Sequence, residues 1–377
     1  MAQVARTDRS LFGVTIALVF FGLVMVYSAS SVMAHVKFNS EYYFVARQAA
    51  WVVASIATLL FFKNLPYRRL RNPVVAFGGV GAVVVLLALA YWVDPRHRWI
   101  DFKFFHVQPA ELAKPAVIVF LAFFMTHRAR AINNRHTLMP AALAVGLVTV
   151  GVVLADLGTA VVLGLTAGAI LYVAGMDRRY FVALIAGSIL FVGAAIASKP
   201  YRLARVVQFV DPHYELIAKI DPSGGIREYL GRSVAARSSN YQADQSKIAI
   251  GDGGVTGVGL MQGRQKLFYL PEAHTDFIFA VIAEELGLPG TMGLLLAFGV
   301  ILWRGMLAAL RTEDDFGRYL ALGLTVSIVV QALFNISVAL ALVPTKGITL
   351  PMISFGGSSL LSTLAMMGVL MNVSENS

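Results

Sequence analysis

Two carboxylates four residues apart, Glu272 and Asp276, close a long polar stretch in Tyr269-Leu270-Pro271-Glu272-Ala273-His274-Thr275-Asp276-Phe277, just before an apolar run. If a helix starts near Pro271, both carboxyls lie on one face, one turn apart. Like charges that close to each other and to lipid raise at least one pKa, which is how a carboxylate becomes a base near neutral pH. The competing reading is ordinary solvation at the end of a loop. Glu284 and Glu285 lie about two turns deeper, where charge is expensive and a water-filled interior is the natural setting.

Three further places carry polar residues that loops alone do not explain. In Gln108-Pro109-Ala110-Glu111-Leu112-Ala113-Lys114-Pro115, Glu111 and Lys114 are three apart and share a helix face. Pro109 suits a first helical turn. The pair either anchors a helix end or walls a polar cavity. Asp156, followed by Gly158, either caps the next helix or adds to such a cavity, and the glycine permits a tight turn. Lys346, in Pro344-Thr345-Lys346-Gly347-Ile348-Thr349-Leu350-Pro351, precedes Ser354-Phe355-Gly356-Gly357-Ser358-Ser359. A cation beside hydroxyls suits a phosphate, whereas the small residues equally suit close helix packing. Gly251-Asp252-Gly253-Gly254 and Gly257-Val258-Gly259 lack the ending of a phosphate loop and the third glycine of a dinucleotide fingerprint, so a turn-rich re-entrant segment is expected there. No nucleophile elbow or HExxH pair occurs, and the histidines show no ligand spacing.

The elements that must position these groups are membrane helices. Of 377 residues 58% are hydrophobic and 14% charged, with mean hydropathy +0.71, which excludes a water-soluble surface. Apolar stretches long enough to span lie near 11–33, 43–62, 73–93, 110–126, 138–155, 158–174, 180–198, 277–303, 318–342 and 352–373. The fifth and sixth are divided only by Asp156-Leu157-Gly158. The first run, Leu11 to Met33, exceeds the roughly 7 to 15 apolar residues of a signal peptide and is read as an uncleaved span. The fold expected is an all-α polytopic membrane protein, a single integral membrane domain over 1–377. It has about ten transmembrane helices and one long extracytoplasmic loop, 199–277, between spans 7 and 8.

Fourteen Lys and Arg residues fall in the segments that are inner if the N-terminus is inside, against six in the short outer loops. That bias puts both termini in the cytoplasm and the long loop outside. The net charge of +10 is scattered through inter-span breaks and forms no nucleic-acid patch. With no cysteine there is no disulfide and no thiolate metal site. No repeat or pair of matching broken helices marks a transporter. The residues alone lead to an outer-face site with acids, cations and glycine-rich turns, suited to a lipid-borne anionic substrate.

The segment Arg264-Gln265-Lys266-Leu267-Phe268-Tyr269-Leu270-Pro271-Glu272-Ala273-His274-Thr275-Asp276-Phe277-Ile278-Phe279, running on to Glu284-Glu285-Leu286-Gly287, closely resembles the signature of the SEDS family (shape, elongation, division and sporulation proteins). The segments around Glu111, Asp156, Lys346 and Ser354 resemble it too, as does Gln245-Ser246-Lys247-Ile248-Ala249-Ile250-Gly251, so the similarity covers the chain from about residue 10. The Ala273 form of the signature is more similar to the division branch than to the elongation branch.

The resemblance implies a peptidoglycan glycosyltransferase in the bacterial plasma membrane, at the division septum, polymerising lipid II into glycan strands. Implied partners are a class B penicillin-binding protein (an FtsI-like transpeptidase) and other division proteins, and the implied cofactor is a divalent cation such as Mg²⁺, its site unassigned. Asp276 matches the family's essential aspartate and is the candidate general base. Glu111, Lys114 and Asp156 match its polar cavity residues. Arg264, Lys266, Glu272, His274, Thr275, Glu285, Lys346 and Ser354 complete the expected substrate-binding or cavity set, with Lys114, Lys266, Lys346, Arg264 or the metal as candidates for neutralising a departing pyrophosphate. Tyr214 to Asn240 exceed the family's usual connection and are read as partner-facing or a tolerated insertion. Ala110, Pro115, Asp101 and Phe102 depart from the pattern around the fourth span. Three alternatives stay open, a lipid II flippase using the same acids, an elongation-type polymerase, and a scaffold whose polar loop only holds division partners.

Overall fold

The computed structural model describes residues 8–94, 97–102, 105–128, 132–211, 221, 225 and 234–377. Its ten long apolar helices are α1 (Arg9–Phe38), α2 (Tyr43–Asn64), α3 (Pro73–Val93), α4 (Pro109–Arg128), α5 (Arg135–Ala155), α6 (Leu157–Val173), α7 (Arg178–Ala197), α10 (Ile278–Arg311), α11 (Asp315–Ala339) and α12 (Gly357–Glu375), with α8 (Pro200–Val210) and α9 (Val234–Gly253) between the seventh and eighth. Among the described residues nine of the ten are long and apolar enough to cross a membrane, and α6 is the shorter tenth. A helix satisfies its own backbone, the condition for entering hydrocarbon.

The ends of these helices follow local chemistry. Asp8 caps α1, its carboxylate accepting from the Leu11 N–H at 3.2 Å. Asn72 and Asn134 do the same for α3 and α5. Pro109 opens α4 where a missing N–H costs nothing. The centre of the bundle is α4, α11 and α12, with α12 packed along α2 and α11 against α10, α4 and α6. By contrast α7 contributes only Ala195 to the interior.

Both termini lie at one end of the bundle, where Asp8 accepts hydrogen bonds from Arg304 and from Ser374 at 2.9 Å. The opposite end carries the polar loops. Two features there depart from expectation. Two short antiparallel strands pair there as a hairpin, β1 (Ile100–Phe102) and β2 (Phe105–Val107), an exception to the all-α reading. The long segment 199–277 is in large part ordered structure, namely α8, α9 and a turn-rich stretch from Gly254 to Phe277. Most of the extra connection read as partner-facing or a tolerated insertion, 212–220, 222–224 and 226–233, lies outside the described residues.

The eighth span is not one straight helix. Gly287 adopts φ 59° and ψ −150°, and Pro289 follows it. That backbone suits glycine, and the proline has no N–H to return to the preceding turn. The freed carbonyls of Glu284 and Glu285 accept from the Val258 and Gly259 N–H groups, each at 3.0 Å, and Leu288 N–H donates to Val255 O at 3.2 Å. A re-entrant segment thus completes the broken helix, which is how irregular backbone survives at depth. Gly253 and Gly257 are required because a Cβ at either would collide with the carbonyls of Ala283 or Glu285. These glycines serve close approach, in keeping with the re-entrant reading.

Candidate active site

At the end away from the termini a pocket of about 910 Å³ opens between α2, the hairpin, α8, α9 and the segments 272–277 and 345–359. Phe38, Tyr43, Phe44, Trp51 and Phe355 form one wall. Arg47, Arg98, Arg205 and Lys346 bring positive charge, and Asp94, Asp101, Glu272 and Asp276 bring negative. A second cavity of about 490 Å³ between α5, α6 and α7 is almost wholly apolar and offers little chemistry.

The base candidate is built by the turn ahead of α10. Residues 271–277 are turns, so Glu272 and Asp276 do not stack on a helix as expected; α10 begins at Ile278 and Glu272 has φ 58°. The backbone is nevertheless held at three successive carbonyls. His274 O accepts from Phe355 N–H at 2.9 Å, Thr275 O from Ser354 Oγ at 2.6 Å, and Asp276 O from Asn335 Nδ2 at 2.8 Å. The Asp276 carboxylate accepts no hydrogen bond from the described residues. Burial pushes its pKa up to about 7; Arg98 and Lys346 oppose this, while Glu272 and Asp156 add to it. The direction matches the expectation, although burial outranks the paired charge as its cause.

Behind the pocket Asp156 does both things expected of it. Its Oδ1 accepts from Gly158 N–H at 3.0 Å and its Oδ2 from Thr159 Oγ1 at 2.7 Å, capping α6. It also lies 3.5 Å from Lys346 Nζ and 3.9 Å from Arg98 Nη2. Burial acts to raise its pKa, but Lys346 and Arg98 outweigh this and hold it below the ordinary carboxylate range. Gly158 is helical, so its role is not the turn assigned to it: a Cβ there would strike the Ile348 side chain, and Lys346 could not approach Asp156. Burial lowers the Lys346 pKa despite the pairing.

Glu111 and Lys114 pair at 2.7 Å and are buried beneath the pocket. Lys114 also donates to Gln331 Oε1, and Gln331 Nε2 donates to Thr349 O at 3.0 Å in the pocket wall. His274 is buried against Phe44 and Phe355. Burial drives its pKa down to about 4, so it is neutral at physiological pH.

Of the predicted residues, Glu272, Thr275, Asp276 and Lys346 line the pocket, and Asp156, Glu111, Lys114, His274 and Ser354 support it. Arg264, Lys266 and Glu285 do not join it. Lys266 and Glu285 form a buried ion pair that also holds Ser28 Oγ, at 2.9 Å from Lys266 Nζ and 2.7 Å from Glu285 Oε2. Glu284 Oε1 accepts from the N–H groups of Arg264, at 2.6 Å, and Gln265. These acids were expected to face water; they fasten the re-entrant segment to the broken helix instead, because its free N–H groups and Lys266 neutralise them.

Several pocket residues carry no sequence signal. Arg98 is aimed by Asp94, whose carboxylate accepts from the N–H groups of Arg98 and Trp99 at 2.9 and 2.8 Å. Its guanidinium donates to Gly347 O at 3.3 Å, and Arg205 donates to Thr345 O at 3.4 Å. Both looked like ordinary loop cations.

Fold and pocket together define a polytopic integral membrane protein with an ionisable site at one end of its bundle. The chain belongs to the FtsW, RodA and SpoVE family: a family model described as "Cell cycle protein" matches residues 8–377. It is 35% identical to a probable peptidoglycan glycosyltransferase FtsW of Geobacter metallireducens over 99% of this chain and 96% of that protein. It is 37% identical to the stage V sporulation protein E of Bacillus subtilis over 98% and 97% of the two chains. Among solved structures it is similar to a chain from a peptidoglycan synthase complex that coordinates polymerization and crosslinking, with TM-score 0.74, 26% identity and 98% of both chains covered. The rod shape determining protein RodA of Thermus thermophilus matches with TM-score 0.64 and 26% identity over 98% of this chain and 97% of that one.

Proposed function

We propose that the protein is a peptidoglycan glycosyltransferase that polymerises lipid II during septal wall synthesis, with Asp276 as general base. The observation that carries this is an uncommitted carboxylate, raised to about 7, in a pocket that also presents Arg98, Arg205 and Lys346. Joining an α-linked donor in a β-1,4 bond inverts the anomeric carbon. The acceptor 4-hydroxyl loses its proton to Asp276 as its oxygen bonds to that carbon, and the undecaprenyl pyrophosphate leaves from the opposite face. A base with a pKa near the working pH is the efficient one. Arg98, Arg205 and Lys346 line the pocket where negative charge develops on the leaving group. The names of the relatives support the same activity.

Among the described residues no three His, Cys, Asp or Glu side chains gather as a metal site. A divalent cation such as Mg²⁺ fits this pocket through one carboxylate in company with the substrate's own phosphates, as Mg²⁺ commonly binds. Glu272 would supply that carboxylate, leaving Asp276 free, and the ion would add charge neutralisation to the pyrophosphate.

The single domain 1–377 sits in the bacterial plasma membrane with both termini cytoplasmic and the pocket outside. The excess of Lys and Arg at the terminal end supports that orientation. A class B penicillin-binding protein and other division proteins are its partners, in line with the synthase complex it is similar to. The gathering of charge at one end, with Glu285 paired to Lys266 and Glu284 Oε1 held by two backbone N–H groups, supports polymerisation over a flippase path through the bilayer.

The test is to supply lipid II and Mg²⁺ to the protein purified with a class B penicillin-binding protein that has no polymerase activity of its own. Glycan strands are expected. Movement of labelled lipid II between vesicle leaflets without strands would replace the enzyme by a transporter.

A further inference from the structure

Two uncharged polar residues lie one turn apart in the ninth span, Gln331 and Asn335 on α11, and both are buried. An amide in a membrane helix ordinarily serves as glue to a neighbouring helix. These two reach the loops that form the pocket, Gln331 while also accepting from Lys114 of α4. Asn335 Nδ2 donates to Asp276 O at 2.8 Å and to Ile348 O at 2.6 Å. Gln331 Nε2 donates to Thr349 O at 3.0 Å and also meets Thr349 Oγ1 at 3.3 Å. One amide therefore spans the segment carrying the base and the segment carrying Lys346. The Oδ1 of Asn335 has no hydrogen-bond partner among the described residues, a cost borne by a fully buried side chain.

The same two segments meet again at Gly347. A Cβ there would lie 2.7 Å from Asp276 Oδ2. Arg98 donates to Gly347 O and pairs with Asp156, which also pairs with Lys346. The base and the cations are thus packed across a glycine with no side chain to space them, and the two segments are joined by the shared Asn335 amide and by the Ser354 hydroxyl.

We propose that Asn335 is a positioning residue for the glycosyl transfer: its side-chain amide locks the 272–277 turn and the 344–351 segment in one register, fixing Asp276 relative to Lys346 and Arg98. This rests on the reading of Asp276 as base. Asn335 touches no substrate and acts through backbone carbonyls. Both donor positions are needed, so an aspartate, which offers only acceptors when ionised, does not replace it.

The experiment compares wild type with Asn335→Leu, Asn335→Gln and Gln331→Leu in the full chain with its penicillin-binding partner. Asn335→Leu is expected to lower kcat about 10²-fold, the scale of a misplaced catalytic group, with little change in KM for lipid II. Asn335→Gln, which keeps the donors, is expected to recover part of the loss. Amide hydrogen exchange gives a reading independent of activity. Asn335→Leu should speed exchange in 271–277 and 344–351 together, and Gln331→Leu in 344–351 alone. If Asn335→Leu does not fold, Asn335→Gln carries the comparison through the same two peptides. Unchanged kcat, or faster exchange confined to one segment, overturns the proposal. A wild type that makes no strands in this assay instead removes Asp276 as base, and the exchange result then decides the register lock by itself.

Discussion

Asp276 and Glu285 stand nine positions apart in one signature, both carboxylates and both near the end of a membrane helix, yet their surroundings put them to opposite uses. Glu285 is fully buried, and its oxygens are taken up by Ser28, Lys266 and the Met261 N–H. Asp276 is half-buried, its carboxylate receives no hydrogen bond from the described residues, and its neighbours are charges of both signs. A carboxylate with every lone pair satisfied is a fastener; one held by its backbone alone, in a pocket, is a reagent. Residue type and depth do not separate the two roles. The count of donors does.

The largest test of this contrast replaces each acid. Asp276→Asn is expected to lower polymerisation by about 10² to 10⁴-fold, the range for a general base. Its folding should not suffer. Because folding raises the Asp276 pKa, the folded state resists ionisation, and stability falls as pH rises from the unfolded carboxylate range to about 7. Asp276→Asn should therefore melt higher than wild type at pH 8. Glu285→Ala leaves Lys266 as an unpaired buried charge and should cost about 3 to 5 kcal/mol, read as a fall in melting temperature at any pH where Lys266 is charged. Destabilisation by Asp276→Asn, or indifference to Glu285→Ala, would erase the distinction.

Gly347→Ala sharpens it from the other side. The added methyl presses on the Asp276 carboxylate and should cost about 10²-fold in kcat without unfolding the protein, measured as strand formation per folded enzyme. The smallest effect is electrostatic. Glu272→Gln removes a charge that raises the Asp276 pKa and should move the acid limb of the rate profile to lower pH, whereas Lys346→Met removes one that lowers it and should move the limb up.

Much of this was legible in the sequence, because lipid imposes a long apolar run on every spanning helix. The boundary between α5 and α6, marked only by Asp156-Leu157-Gly158, stands because the Asp156 backbone closes one helix and its side chain caps the next. Asp276, Glu272, Lys346 and Asp156 drew attention as charges near hydrocarbon. Asn335 and Gln331 did not, since two amides barely lower the hydropathy of a 25-residue helix and carry no charge to explain. Arg98 and Arg205 were lost among loop cations, for only the fold shows which of them turn back over the pocket. Glu284 and Glu285 were misread because the break at Gly287, which brings donors to them, depends on a segment some 30 residues earlier folding into the helix.

The central claim is that Asp276 is the proton acceptor. It is tested most directly by kcat/KM for strand formation against pH, in wild type and Asp276→Asn, with the penicillin-binding partner present. The account predicts a wild-type rate that falls as pH drops through about 7, and a small residual rate in Asp276→Asn with that limb gone. A limb at the same pH in the variant, or strands formed at the wild-type rate, would contradict it.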